Sequence, residues 1–140
     1  MTQERPVRVA VVGSRDNVSY AAVAATLDAA KRHYGGLGLQ FEVVSGGARG
    51  VDTYAAQWAD ANGIGKVVFK ADWETHGRSA GMRRNAEIIN AADVVLAFWD
   101  GASPGTRNSI ERTQAAGKPL FVFGTGNGQG EEQNGNQHAG

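Results

Sequence analysis

Five short apolar runs, at 7–12, 39–44, 66–69, 94–99 and 119–123, alternate with four segments of helical periodicity. That alternation constrains the fold more than any other feature. Strands joined through helices need crossover connections, which run right-handed and lay helices on both faces of a parallel sheet. Val94-Val95-Leu96-Ala97-Phe98 is apolar without a break, as a strand buried on both faces must be. The run 7–12 is broken only by Arg8. Val23, Leu27, Ala30 and Tyr34 share one face of a first helix, which Asp16 or Asn17 is placed to cap, which runs to about His33, and which Gly35-Gly36 stops. Val51, Ala55, Trp58 and Ala59 share one side of a second helix, 51–62, ended by Gly63. A loop after the third strand leads to a third helix from about Ser79 to Ala91, and a fourth helix spans 107–116 before Gly117. The expected architecture is an α/β, three-layer α/β/α sandwich with a five-stranded, mostly parallel sheet.

A chain of 140 residues with 41% hydrophobic side chains is sized for one domain. Residues 124–140 hold no aliphatic or aromatic side chain larger than Ala, so burial there cannot offset the entropy of ordering. The expectation is a folded domain at 1–123 and a disordered Gly/Asn/Gln-rich tail at 124–140. Fourteen basic residues face fourteen acidic ones, and setting aside Glu131 and Glu132 of the tail leaves the domain at +2. Zero net charge weighs against bulk electrostatic binding to nucleic acid or an anionic membrane, leaving a local basic patch open, and the acidic tail weighs further against nucleic acid. With no Cys, disulfides, thiol nucleophiles and Cys-ligated zinc are excluded. His33, His76 and His138 are scattered, so no metal and no cofactor is expected. No apolar run approaches the roughly 18 residues of a membrane span, and the first six residues lack a signal peptide's apolar stretch. A cytoplasmic location is the expectation.

In sheets of this kind ligands bind beyond the carboxyl ends of the strands, where the strand order reverses. The unusual residues follow the strands. After the first come Gly13, Ser14 and Arg15, a tight turn with donors for phosphate or carboxylate, or an ordinary turn with a surface arginine. After the second come Ser45, Gly46, Gly47, Ala48, Arg49, Gly50 and Asp52. Three glycines there let backbone N–H groups approach a guest at a helix N-terminus. Asp52 is placed to cap the helix, to orient Arg49, or to accept from a ribose hydroxyl. After the third come Asp72, Trp73, His76, Arg78, Arg84, Asn85 and Glu87. Trp73 is placed either to stack on a nucleobase or to cap the core, and Arg84 and Glu87 share a helix face, where an ion pair is the simplest reading. After the fourth come Asp100, Gly101, Ser103, Gly105 and Thr106, a phosphate or ribose cradle or a capped turn.

Together, Gly13-Ser14-Arg15, the run from Ser45 to Asp52, Ala71-Asp72-Trp73, Arg84-Asn85 and the run from Asp100 to Thr106 resemble the YspA/cpYpsA-related branch of the SLOG superfamily, over roughly residues 7 to 123. That superfamily includes the Lonely Guy phosphoribohydrolases and the DNA-processing protein Smf/DprA. The resemblance implies a Rossmann-like domain that binds a nucleotide or nucleotide-derived molecule such as ADP-ribose, and a homo-oligomer; members occur widely in bacteria and phages. It also implies that Arg84 matches the Lonely Guy catalytic arginine and that Ser103-Pro104-Gly105-Thr106 resembles their phosphate loop. Their catalytic glutamate falls three residues after the loop threonine, where this chain has Ser109; Asp72, Glu87 or Glu111 would have to supply the acid.

The expected function is binding of a nucleotide-derived small molecule at the carboxyl edge of the sheet, as a sensor or sponge. The alternative is hydrolysis of the N-glycosidic bond of a nucleoside monophosphate, with Arg84 and Glu87 as catalytic residues.

Overall fold

The computed structural model describes residues 5–125 and 132–133. The elements are β1 (Val7–Gly13), α1 (Tyr20–Gly36), β2 (Phe41–Ser45), α2 (Val51–Ala61), β3 (Gly65–Val68), α3 (Trp73–His76), a 3-10 turn (Gly77–Ser79), α4 (Ala80–Ala91), β4 (Val94–Trp99), α5 (Pro104–Ala116), β5 (Leu120–Gly124) and β6 (Glu132–Gln133). The sheet order is β3-β2-β1-β4-β5-β6. The first five strands are parallel, as the alternation requires, and β6 adds antiparallel to β5 through Val122–Gln133 and Phe123–Glu132. This is a Rossmann-like α/β fold. The sixth strand carries no apolar signal and was not expected. The tail expected at 124–140 otherwise lies outside the described residues, apart from Gly124 and Thr125.

Strand alternation divides the core in two. Val9 and Val11 face one way, with Val43, Leu96 and Phe98, under Val23 and Leu27 of α1 and Val51, Ala55 and Trp58 of α2. Ala10 and Val12 face the other way, with Val44, Val95 and Ala97, under Ile88 and Ile89 of α4 and Ile110 of α5. β1 and β4 therefore read as continuous apolar runs because both of their faces are covered. Trp58 is buried, and its indole N–H donates to Asp28 Oδ1 of α1 at 2.9 Å, which ties the two helices of that layer together.

The ends of α1 differ from the expectation. Ser19, not Asp16 or Asn17, is the N-cap, its Oγ accepting from Ala22 N at 3.1 Å. Asn17 instead takes a left-handed φ of 66° in the preceding loop. The helix runs through Gly35 and Gly36, and the chain turns at Leu37 and Gly38. The stretch expected as a loop after β3 holds α3, capped by Asp72. α5 begins at Pro104 rather than 107, with proline in the first turn, where its missing N–H has no helical partner to lose.

The strand order reverses between β1 and β4. These two strands bring the Gly13 and Asp100 loops side by side, and Ser14 N donates to Phe98 O at 3.0 Å.

Candidate ligand-binding site

At the carboxyl edge, against the β1–β4 junction, lies an open cleft of about 670 Å³. Loops after β1, β3 and β4 and the first turns of α4 and α5 line it, with Ala48 just before α2 and Asp52 in its first turn. Of the seven buried polar residues among those described, five line this cleft: Ser14, Asp52, Asn85, Thr106 and Ser109. Buried polar side chains are the informative exception in a folded chain. Here they converge on one cavity.

The wall beside α5 is held by Asp100. Its Oδ1 accepts from Ala102 N (2.9 Å) and Ser103 N (2.7 Å), and its Oδ2 accepts from Ser103 Oγ (2.7 Å). These bonds, led by that from Ser103 N, hold the Asp100 carboxyl below its ordinary value. Ser103 Oγ lies 3.3 Å from Ser14 Oγ, so the two loops touch across the junction. With Ser103 bonded to Asp100, no side chain caps α5. Its first-turn N–H groups carry the helix's positive end toward the cleft, the arrangement that favours an anion.

Arg84 enters from α4. Its Nη1 donates to Gly46 O at 2.8 Å, while its Nε is buried without a partner. Glycine at 46 lets the Arg84 side chain take this place, because a Cβ there would sit 2.6 Å from the guanidinium. Gly50, at φ 82°, passes so close to the Arg15 backbone that a Cβ would meet it at 2.6 Å. Gly46 and Gly50 thus accommodate Arg84 and the β1–α1 loop, whereas the sequence reading expected the glycines of this loop to bring N–H groups to a ligand. Gly47, at φ 76°, packs toward Val68 and Lys70. Of this loop and the start of α2, only Ala48 and Asp52 reach the cleft.

Asp52 accepts from Ala48 N at 3.0 Å. Burial pushes its carboxyl up, against the opposing pull of the Ala48 N–H and the Arg84 charge. It does not orient Arg49, which is exposed and lies 3.7 Å from Asp16.

Gly13, Ser14, Arg15, Asp52, Trp73, Arg78, Arg84, Asn85, Asp100, Ser103, Gly105 and Thr106 thus come together around the cleft. Ser45, Gly46, Gly47, Arg49, Gly50, Asp72 and Gly101 do not line it. Ser45 is buried at the end of β2, and Asp72 caps α3 by accepting from Thr75 N at 3.1 Å. Glu87 is exposed on α4 away from the cleft and makes no ion pair with Arg84, so the helix-face pairing expected from their spacing does not form. Glu111 is also absent from the lining. Sequence reasoning missed Asn17, Met82, Asn108 and Ser109, all of which line the cleft. Asn108 was the most findable: it follows the Thr106 cradle by two residues, and it receives Asn85 Nδ2 at 3.2 Å.

Fold and site define a Rossmann-like protein with a ligand cleft at its topological switch point. The chain belongs to the YspA, cpYpsA-related SLOG family, whose sequence model matches residues 7–76. It is 46% identical over 88 residues to the Gene 61 protein of Mycobacterium phage D29, covering 59% of this chain and 70% of that one. Among solved structures it is similar to DNA processing protein A from Helicobacter pylori, described for its mode of binding single-stranded DNA. The TM-score is 0.67 at 22% identity, over 90% of this chain and 69% of that chain. It is also similar to the molybdenum cofactor carrier protein of Chlamydomonas reinhardtii, with TM-score 0.63 at 18% identity, over 87% of this chain and 78% of that chain. The fold is thus shared with proteins of different cargo. The weight that net charge was given against a nucleic-acid partner is corrected by the Helicobacter structure: net charge sums the whole chain, whereas a nucleic-acid contact depends on local charge, and Arg15, Arg78 and Arg84 all stand at this cleft.

Proposed function

We propose that the chain binds a nucleotide-derived small molecule in this cleft and releases it intact. The observation that carries the reading is the gathering of buried polar side chains beside the uncapped start of α5. A phosphate of the ligand takes the first-turn N–H groups of α5 and the Ser14 hydroxyl, while the Ser103 hydroxyl proton stays with Asp100. Arg84, held by Gly46 O, supplies charge from the opposite wall.

Binding is favoured over N-glycosidic cleavage because cleavage needs a carboxylate at the anomeric carbon. Neither Glu87 nor Glu111 reaches the cleft, and Ser109 stands where the Lonely Guy enzymes place their glutamate. The carboxylates that line it are Asp16, Asp52 and Asp100. Asp52 is bonded to Ala48 N, and Asp100 is bonded to its own loop. Single-stranded DNA is the second reading, favoured by the Helicobacter fold relative.

Thermal unfolding with millimolar nucleoside monophosphates, ADP-ribose and a short single-stranded oligonucleotide separates these readings. A small-molecule site gives a concentration-dependent rise in Tm, lost in Arg84→Ala, with the ligand recovered unchanged by mass spectrometry. Release of free base supports cleavage instead. A rise only with the oligonucleotide, fading steeply with salt, supports DNA binding. No rise with any of them overturns all three.

A further inference from the structure

The cleft is polar on one side only. Trp73 and Met82 line it as well, and they remain 56% and 51% exposed. Trp73 belongs to neither core cluster, so it is not a lid on the core. Its place is nevertheless fixed. Asp72 caps α3 by accepting from Thr75 N, which sets the backbone at residue 73. On one flank the indole lies against the first turn of α4, its edge 3.5 Å from where a Cβ would stand on Gly81. A large aromatic side chain held on one side and open on the other, at the mouth of a ligand-sized cavity, leaves apolar surface in water that a guest would cover.

We propose that Trp73 and Met82 form a shelf on which a planar heteroaromatic ring of the ligand lies, while its anionic end reaches the start of α5. This proposal rests on the nucleotide reading above and adds the subsite that receives the base. The indole offers a π face, and the methionine thioether a soft, adaptable contact. Stacking of this kind tolerates any base, because every base has a π face. The shelf therefore separates nucleotides from sugar phosphates and discriminates weakly between adenine and guanine.

The test is calorimetric titration of the full chain with adenosine 5′-monophosphate and with ribose 5-phosphate, which carries the same phosphate and no base. The wild-type chain should bind the nucleotide about 10-fold or more tighter than the sugar phosphate. Trp73→Ala should bring the nucleotide down to the level of the sugar phosphate and leave the sugar phosphate unchanged. Trp73→Phe should keep most of the preference, which also guards against a folding defect. Nucleotide binding should quench tryptophan emission in the wild type and not in Trp73→Phe, because neither Trp58 nor Trp99 lines the cleft. Equal binding of the two probes by the wild type, or equal weakening of both in Trp73→Ala, overturns the shelf and leaves the phosphate site standing. Binding of neither probe overturns the nucleotide reading and the shelf with it.

Discussion

At the scale of single residues, the glycines after β2 show how one residue type serves different ends. Gly46→Ala places its Cβ against the Arg84 guanidinium, which sits at the end of a flexible side chain and can swing away. Gly50→Ala meets the Arg15 backbone at φ 82° and has no such escape. Gly46→Ala should therefore lower stability by about 1 kcal/mol or less while abolishing Arg84-dependent binding, and Gly50→Ala should lower it by about 2 kcal/mol or more. Urea titration of the two variants checks the ordering. Asp52 makes a second residue-scale prediction. Its folded pKa is raised by burial, so the folded state holds its proton above 3.8, the ordinary value, and stability falls as pH rises from there through the folded value. Asp52→Asn keeps an acceptor for Ala48 N and removes the buried charge. It should raise Tm at neutral pH and flatten the fall of stability with pH across that window. A variant less stable than wild type at neutral pH would show that the charge is held by Arg84 more firmly than burial opposes it.

At the scale of elements, α4 matters most because it carries Arg84 and Asn85 to the cleft. Its far end is fixed by Lys118, whose ammonium donates to Ile89 O (2.7 Å), Asn90 O (3.1 Å) and Ala92 O (2.7 Å). A cation on the last carbonyls satisfies groups the helix leaves open and complements its negative end. Lys118→Met should keep the aliphatic packing and lose about 1–3 kcal/mol, measured by chemical denaturation. Much of this level was legible in the sequence. β4 and the buried face of α2 follow directly from their apolar periods. The helix ends were less so: Asp16, Asn17 and Ser19 all suit an N-cap by residue type, and the cap falls to Ser19, with Asn17 in a left-handed turn before it. Gly35 and Gly36 read as a stop, yet tertiary packing of Val23, Leu27 and Tyr34 carries α1 past them. β6 could not be read at all, because two polar residues in sequence carry no apolar period to mark a strand.

At the scale of the whole molecule, the site exists because the strand order reverses between β1 and β4. The loops after those two strands were legible as partners, since a switch point is where such sheets bind ligands. What the sequence does not contain is the order itself. β2 lies on the far side of β1 from β4, so its glycine-rich loop stands behind the cleft and supports Arg84 from there. Glu87 shares α4 with Arg84, but it faces solvent, an orientation that spacing along one helix leaves open until the packing of α4 on the sheet is known. The central claim is that segments following separate strands close on one anion-binding cleft. Backbone amide chemical shifts, followed while adenosine 5′-monophosphate is titrated into the labelled chain, test it most directly. The predicted result is saturable shifts confined to Ser14–Arg15, the α3–α4 junction and Ser103–Thr106, moving together with one dissociation constant. Shifts confined to a single one of these segments, shifts on the opposite edge of the sheet, or none at millimolar ligand would contradict it.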